Sequence, residues 1–88
     1  MFVYCVSYDL NNEKQDYEGL QTELKRSSSW WHHLESTWLI ATPERADQLY
    51  VRIRPYIEKD ENVLIIQVTS EKSGWLPKKA WDWMRKHL

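Results

Sequence analysis

Met1-Phe2-Val3-Tyr4-Cys5-Val6-Ser7-Tyr8-Asp9-Leu10 is an apolar run that stops at a carboxylate and gives way to the polar Asn11-Asn12-Glu13-Lys14. Its β-branched and aromatic residues read as a strand. Period-two alternation puts Phe2, Tyr4, Val6 and Tyr8 on one face and Val3, Cys5, Ser7 and Asp9 on the other. Both faces are largely apolar, so the strand is expected to be central and covered on both sides. Asp9 then sits at the mouth of a rigid element, next to a loop, where functional acids are often placed. The plainer reading is that Asp9 ends the strand and starts a turn.

Downstream of this strand the pattern alternates between helix and strand. Asp16 reads as an N-cap for a helix carrying Tyr17, Leu20 and Leu24, which should stop at Ser27-Ser28-Ser29. Trp30 to Thr42 is long for one strand and is interrupted by Glu35-Ser36, so it reads as a hairpin or one bent strand. Thr42-Pro43-Glu44 is a helix start, with Thr42 as N-cap. Ala46, Leu49, Tyr50, Ile53 and Ile57 give that helix its apolar stripe, and Pro55 should close it. Arg45, Arg52, Arg54 and Lys59 read as its solvated face. Val63 to Thr69 is a second strand apolar on both faces, expected to be central. Residues 75–88 read as a C-terminal helical extension, with Trp81, Met84 and Leu88 on one stripe and Trp83 pointing elsewhere, available to a partner.

Eighty-eight residues make one domain, and the order is strand, helix, hairpin, helix, strand, helix. With right-handed crossovers this predicts an α+β ferredoxin-like sandwich, an antiparallel sheet with its helices on one face. The second face then lacks cover within the chain. A homodimer packed sheet to sheet would supply it.

Composition narrows the function. The net charge of −1 gives no global field to attract nucleic acid, so such binding needs a local basic patch. Lys78, Lys79, Arg85 and Lys86, with His87, form the one basic stretch outside the second helix. Six Trp residues imply a bulky core or rings left for a partner. Cys5 is the sole cysteine and excludes an intrachain disulfide. No membrane span or signal peptide is legible, so a cytoplasmic protein is expected. With two glycines there is no phosphate loop, and adjacent His32 and His33 face opposite ways on a strand, which argues against a zinc site. Asp9 alone is too few ligands for magnesium, which typically takes one or two protein carboxylates and completes its shell with water and phosphate oxygens. Two Asp9 side chains converging at a dimer axis would supply the pair.

Three segments carry a family resemblance: Val6-Ser7-Tyr8-Asp9-Leu10, Trp31 to Trp38, and Asp60-Glu61-Asn62-Val63-Leu64-Ile65-Ile66. In order and spacing, over residues 1 to 69, the chain resembles the small CRISPR-associated ferredoxin-like endonucleases, the dimeric core of the spacer-integration complex. It also resembles the VapD endoribonucleases. The resemblance implies a dimer and, in active members, Mg²⁺ or Mn²⁺ held by the strand-end acid, here Asp9. It departs from the family in its acidic balance, in Thr37-Trp38 where the family has a Val-Phe pair, and in a Trp-rich helix where the family has an extra strand.

Two functions are therefore expected. One is a non-catalytic dimeric module that binds nucleic acid or a partner protein, with Lys78, Lys79, Arg85 and Lys86 on the nucleic acid. The other is a metal-dependent endonuclease with Asp9 as ligand and catalytic residue, and Ser7, Tyr8 and Asn11 lining the site.

Overall fold

The computed structural model describes residues 1–9 and 17–88. Strands run over Phe2–Asp9 (β1), Ser29–His32 (β2), Thr37–Thr42 (β3) and Asn62–Gln67 (β4). Helices run over Glu18–Lys25 (α1), Ala46–Ile53 (α2) and Lys78–His87 (α3), with a 3-10 turn at Arg54–Tyr56. The strands form one antiparallel sheet in the order β2-β3-β1-β4. This is the ferredoxin-like α+β arrangement, with β1 central as its two apolar faces require. The stretch 30–42 is a hairpin, broken where the polar Glu35-Ser36 pair makes the turn.

One face of the sheet carries the core. In register, Val6 lies opposite Trp38 on one side and Ile65 on the other. Tyr4, Val6, Trp38 and Ile40 pack against Leu20 and Leu24 of α1 and Leu49 and Ile53 of α2. Each such side chain gains about 1.5–3 kcal/mol on leaving water. The Trp38 indole N–H donates to the Tyr8 hydroxyl at 3.1 Å, and His32 stacks on its ring at 3.8 Å. The polar atom of the largest core ring is thereby satisfied.

The opposite face corrects three expectations. The helices are not confined to one side: α3 folds back over β2, β3 and part of β1. Ala80 and Met84 are buried there. The Trp83 indole N–H donates to Ser29 Oγ at 2.9 Å, and its ring stacks on His87, so Trp83 anchors α3 rather than awaiting a partner. Nor is β4 central. It is an edge strand, and α3 does not reach it, so Leu64 and Ile66 remain 56% and 54% exposed.

Helix starts also differ in detail. Thr42 does not cap α2. It stays in the ladder opposite Phe2, and its hydroxyl donates to Glu44 at 2.7 Å. The cap falls at Arg45, whose backbone N–H donates to the Gln48 side chain at 2.8 Å. This is half of a capping box. Pro55 closes α2 as expected, inside the 3-10 turn. Asp16, read as the α1 cap, lies outside the described residues.

Candidate functional site

The basic residues of α3 are the first candidate. At 3.6 residues per turn, Lys78, Lys79, Asp82, Arg85 and Lys86 fall within roughly a third of the helix circumference. All five are exposed, opposite the buried Ala80 and Met84. One acid stands among four cations on that face, and it is paired to Arg85. The first turn of α3 contains no acid and two lysines. Positive charge there opposes the helix dipole, at a cost typically near 0.3–1 kcal/mol each. A neighbouring anion would relieve it.

Asp9 is the second candidate. It is exposed at the end of β1, opposite Asn62. Ser7, Tyr8, Asp9, Asn62, Val63 and Leu64 line a shallow depression of about 200 Å³. Of the residues expected to line the site, Ser7 and Tyr8 are therefore beside Asp9, and Asn11 lies outside the described residues. The Tyr8 hydroxyl is already engaged by Trp38, and Ser7 Oγ accepts from Thr37 at 3.5 Å. Among the described residues no three His, Cys, Asp or Glu side chains are grouped so as to hold a metal ion. The buried Glu61 has one carboxylate oxygen, Oε2, without a hydrogen-bond partner. Glu61 stands just before β4, and its other oxygen, Oε1, accepts from the Glu58 backbone N–H at 2.8 Å. Among the described residues, a single exposed carboxylate with neutral neighbours does not make a magnesium site, and on these residues the fit would need a second copy.

A third cluster was not legible in the sequence. Arg52 was expected on a solvated face, as Arg45, Arg54 and Lys59 are. Instead its guanidinium lies between α1, α2 and the end of β3. Nε donates to Glu44 at 3.1 Å, Nη1 to the Glu23 carbonyl at 2.7 Å and its carboxylate at 3.3 Å, and Nη2 to Ser27 at 2.8 Å and Glu44 at 2.9 Å. All five donors of the fork are occupied, so Arg52 has none left for a ligand. Burial pushes the Glu44 carboxyl up, but hydrogen bonds from Arg52 and Thr42 and the Arg52 charge outweigh it, and the net displacement is downward. The only forewarning was spacing: Arg52 is three residues past Leu49 and one before Ile53, at the margin of the buried stripe.

The fourth feature is an apolar cavity of about 260 Å³ between the second sheet face and the C-terminal segment, with Cys5, Trp31 and Leu39 on one wall and Leu76, Trp81 and Met84 on the other. Burial pushes the Cys5 thiol above its ordinary value. Such a thiol is a poor nucleophile at neutral pH.

No family model, curated protein or solved structure matches the chain. None of these comparisons links the chain to the CRISPR-associated or VapD families. No helix among the described residues is long and apolar enough to cross a membrane.

Proposed function

We propose that the protein is a non-catalytic ferredoxin-like module that binds nucleic acid through the exposed face of α3 and works as a homodimer. The observation that carries the reading is the gathering of Lys78, Lys79, Arg85 and Lys86 on one solvent-facing side of a helix in a chain of net charge −1. A ten-residue helix is about 15 Å long and spans only a few phosphates. Two copies double the contact. The open half of the second sheet face, with Leu64 and Ile66, is the surface on which the copies would meet.

Face-to-face packing is favoured over pairing of the β4 edges. Edge pairing leaves Leu64 and Ile66 in water, whereas face packing buries them. The two modes also differ at Asp9. Strand spacing and rise place the two acids about 20 Å apart across paired β4 edges. In face packing, Asp9 lies on the contact side with Leu64. Spontaneous disulfide formation by Asp9→Cys in a Cys5→Ser background separates the modes.

The test of the main reading is anisotropy of labelled single- and double-stranded oligonucleotides. If about three phosphates are neutralised, affinity should fall about 40-fold between 50 and 200 mM salt. Replacing the four cations by Ala should abolish binding. Binding unchanged by that replacement would overturn the assignment.

A second reading has one observation in its favour: Asp9 is exposed on the same sheet face as Leu64 and Ile66. A face-packed dimer with both acids near its axis would suffer like-charge repulsion that Mg²⁺ or Mn²⁺ relieves. The protein would then be a metal-dependent endonuclease. Wild type should melt higher with Mn²⁺ and cleave RNA or DNA, and Asp9→Asn should lose both effects while remaining dimeric. Absence of both in wild type returns Asp9 to a turn residue.

A further inference from the structure

The cavity under α3 plays no part in either reading above. Well-packed interiors hold few voids larger than a water molecule. Here about 260 Å³ stays open between the sheet and the segment leading into α3. Its walls are apolar, with Trp31, Leu39, Trp81 and Met84 contributing ring, methyl and thioether surface. Among the described residues the lining contains no acid and a single charged residue, Lys72. That lysine is exposed and donates to the Ser70 carbonyl at 3.3 Å. Its flexible stem can turn the ammonium toward the mouth.

We infer that this cavity is a binding site for a free medium-chain carboxylic acid, its tail against the rings and its carboxylate on Lys72. Size and charge select this occupant together. The volume lies just below the range of drug-sized pockets, which corresponds to a ligand of about ten non-hydrogen atoms. An acidic head meets the only charge that the described residues place in the lining, whereas a cationic head meets a like charge. Besides Lys72, the polar side-chain groups of the described lining are the Thr37 and Ser73 hydroxyls, the Cys5 thiol and the indole N–H groups of Trp31 and Trp81.

Cys5 gives a local readout, because it lines the cavity and is the only cysteine in the chain. The experiment follows the alkylation rate of Cys5 by iodoacetamide at mildly alkaline pH, titrating octanoate or its neutral isostere octanamide. Octanoate should slow alkylation saturably, with half-effect near 1 mM, as expected for ten atoms of modest ligand efficiency. Lys72→Gln, an exposed substitution, should weaken octanoate protection about threefold, the scale of a solvent-exposed ion pair, and leave octanamide unchanged. Protection should not vary with protein concentration.

Three results would overturn the inference. Failure of octanoate to slow alkylation below about 10 mM would mean that the cavity takes no such ligand. Equal weakening of both probes by Lys72→Gln would reduce Lys72 to a packing role. Slowing that follows protein concentration with no added acid would mean that a second copy fills the cavity, for instance with Trp75, which is 99% exposed.

Discussion

The two faces of the sheet are built to different standards. On the helix side, Leu20, Leu24, Leu49 and Ile53 reach over β1 and β3 and leave no exposed surface of their own. On the other side, α3 closes over β2 and β3, leaves a cavity above Cys5 and Leu39, and stops short of Leu64 and Ile66. A face with no room to spare sets the stability of a small domain. A face left partly open costs some stability and retains surface for a ligand or a second copy.

The largest test of this contrast is a pair of truncations. Ile53→Ala removes three carbons from the closed side and should cost about 3 kcal/mol in a urea melt. That cost should be the same at every protein concentration. Ile66→Ala removes the same atoms from the open side. It should change the stability of the monomer by no more than about 0.5 kcal/mol and, if the proposed homodimer forms, shift its assembly to higher concentration by sedimentation. Equal costs for the two variants would mean that the two faces do not differ as described.

A somewhat smaller effect is expected at the polar rim of the closed side. Arg52→Ala leaves Glu23 and Glu44 without their shared cation and the Glu23 carbonyl without its donor. Removing one partner of a buried pair costs about 3–5 kcal/mol, and the partial exposure of Arg52 and Glu44 lowers the expectation to about 2 kcal/mol. Arg52→Lys keeps the charge but loses the fork, so it should recover less than half. The same cluster gives the closed side an acid dependence. Glu44 titrates lower in the folded chain than its ordinary 4.5. As pH falls the unfolded chain therefore takes up the proton first, and stability is lost. The contribution is present above the unfolded value and disappears as pH falls through the folded one. Thermal melts of wild type and Glu44→Gln should differ at pH 7 and converge below that value.

Much of the closed face was legible in the sequence. The stripe Ala46-Leu49-Tyr50-Ile53-Ile57 and the alternation Phe2-Tyr4-Val6-Tyr8 each name their buried side, because burial imposes a period, but Tyr50 and Phe2 lie at the margins and stay exposed. The break at Glu35-Ser36 was legible because a polar pair interrupts an apolar run, but it left a hairpin and one bent strand equally open. The open face was not. Which side of the sheet α3 covers depends on the path of residues 68–77, and no local pattern encodes that path. The position of β4 at the edge follows from strand order, which its own composition does not report. Arg52 was missed because a cation at the margin of an apolar stripe looks the same whether it reaches water or two carboxylates. The four cations of α3 were legible as a stretch. Their gathering on one face follows from a helix whose opposite side is held down by Ala80 and Met84.

The smallest predicted effect is at Gly19, where two terms of similar size oppose each other. Gly19 lies in the first turn of α1, and replacing it with Ala should favour the helix by up to about 1 kcal/mol. A Cβ there would stand 2.9 Å from Tyr56 Cδ1 and 3.3 Å from Cε1. These are ring carbons, not the end of a flexible chain. The ring is held by the 3-10 turn at its backbone and by a 3.5 Å contact from its hydroxyl to Glu23. It must move by several tenths of an ångström, and the cost should nearly cancel the helix term. Gly19→Ala alone is therefore expected within about 0.5 kcal/mol of wild type. In a Tyr56→Ala background the obstruction is gone, and the same change should stabilise by up to about 1 kcal/mol. The double-mutant cycle reads the difference directly as a coupling energy. A coupling near zero would mean that Tyr56 yields freely and does not seal the rim of the closed face. A full gain in the Tyr56→Ala background would mean that α1 accepts its weakest helix residue so that this ring can lie against its backbone.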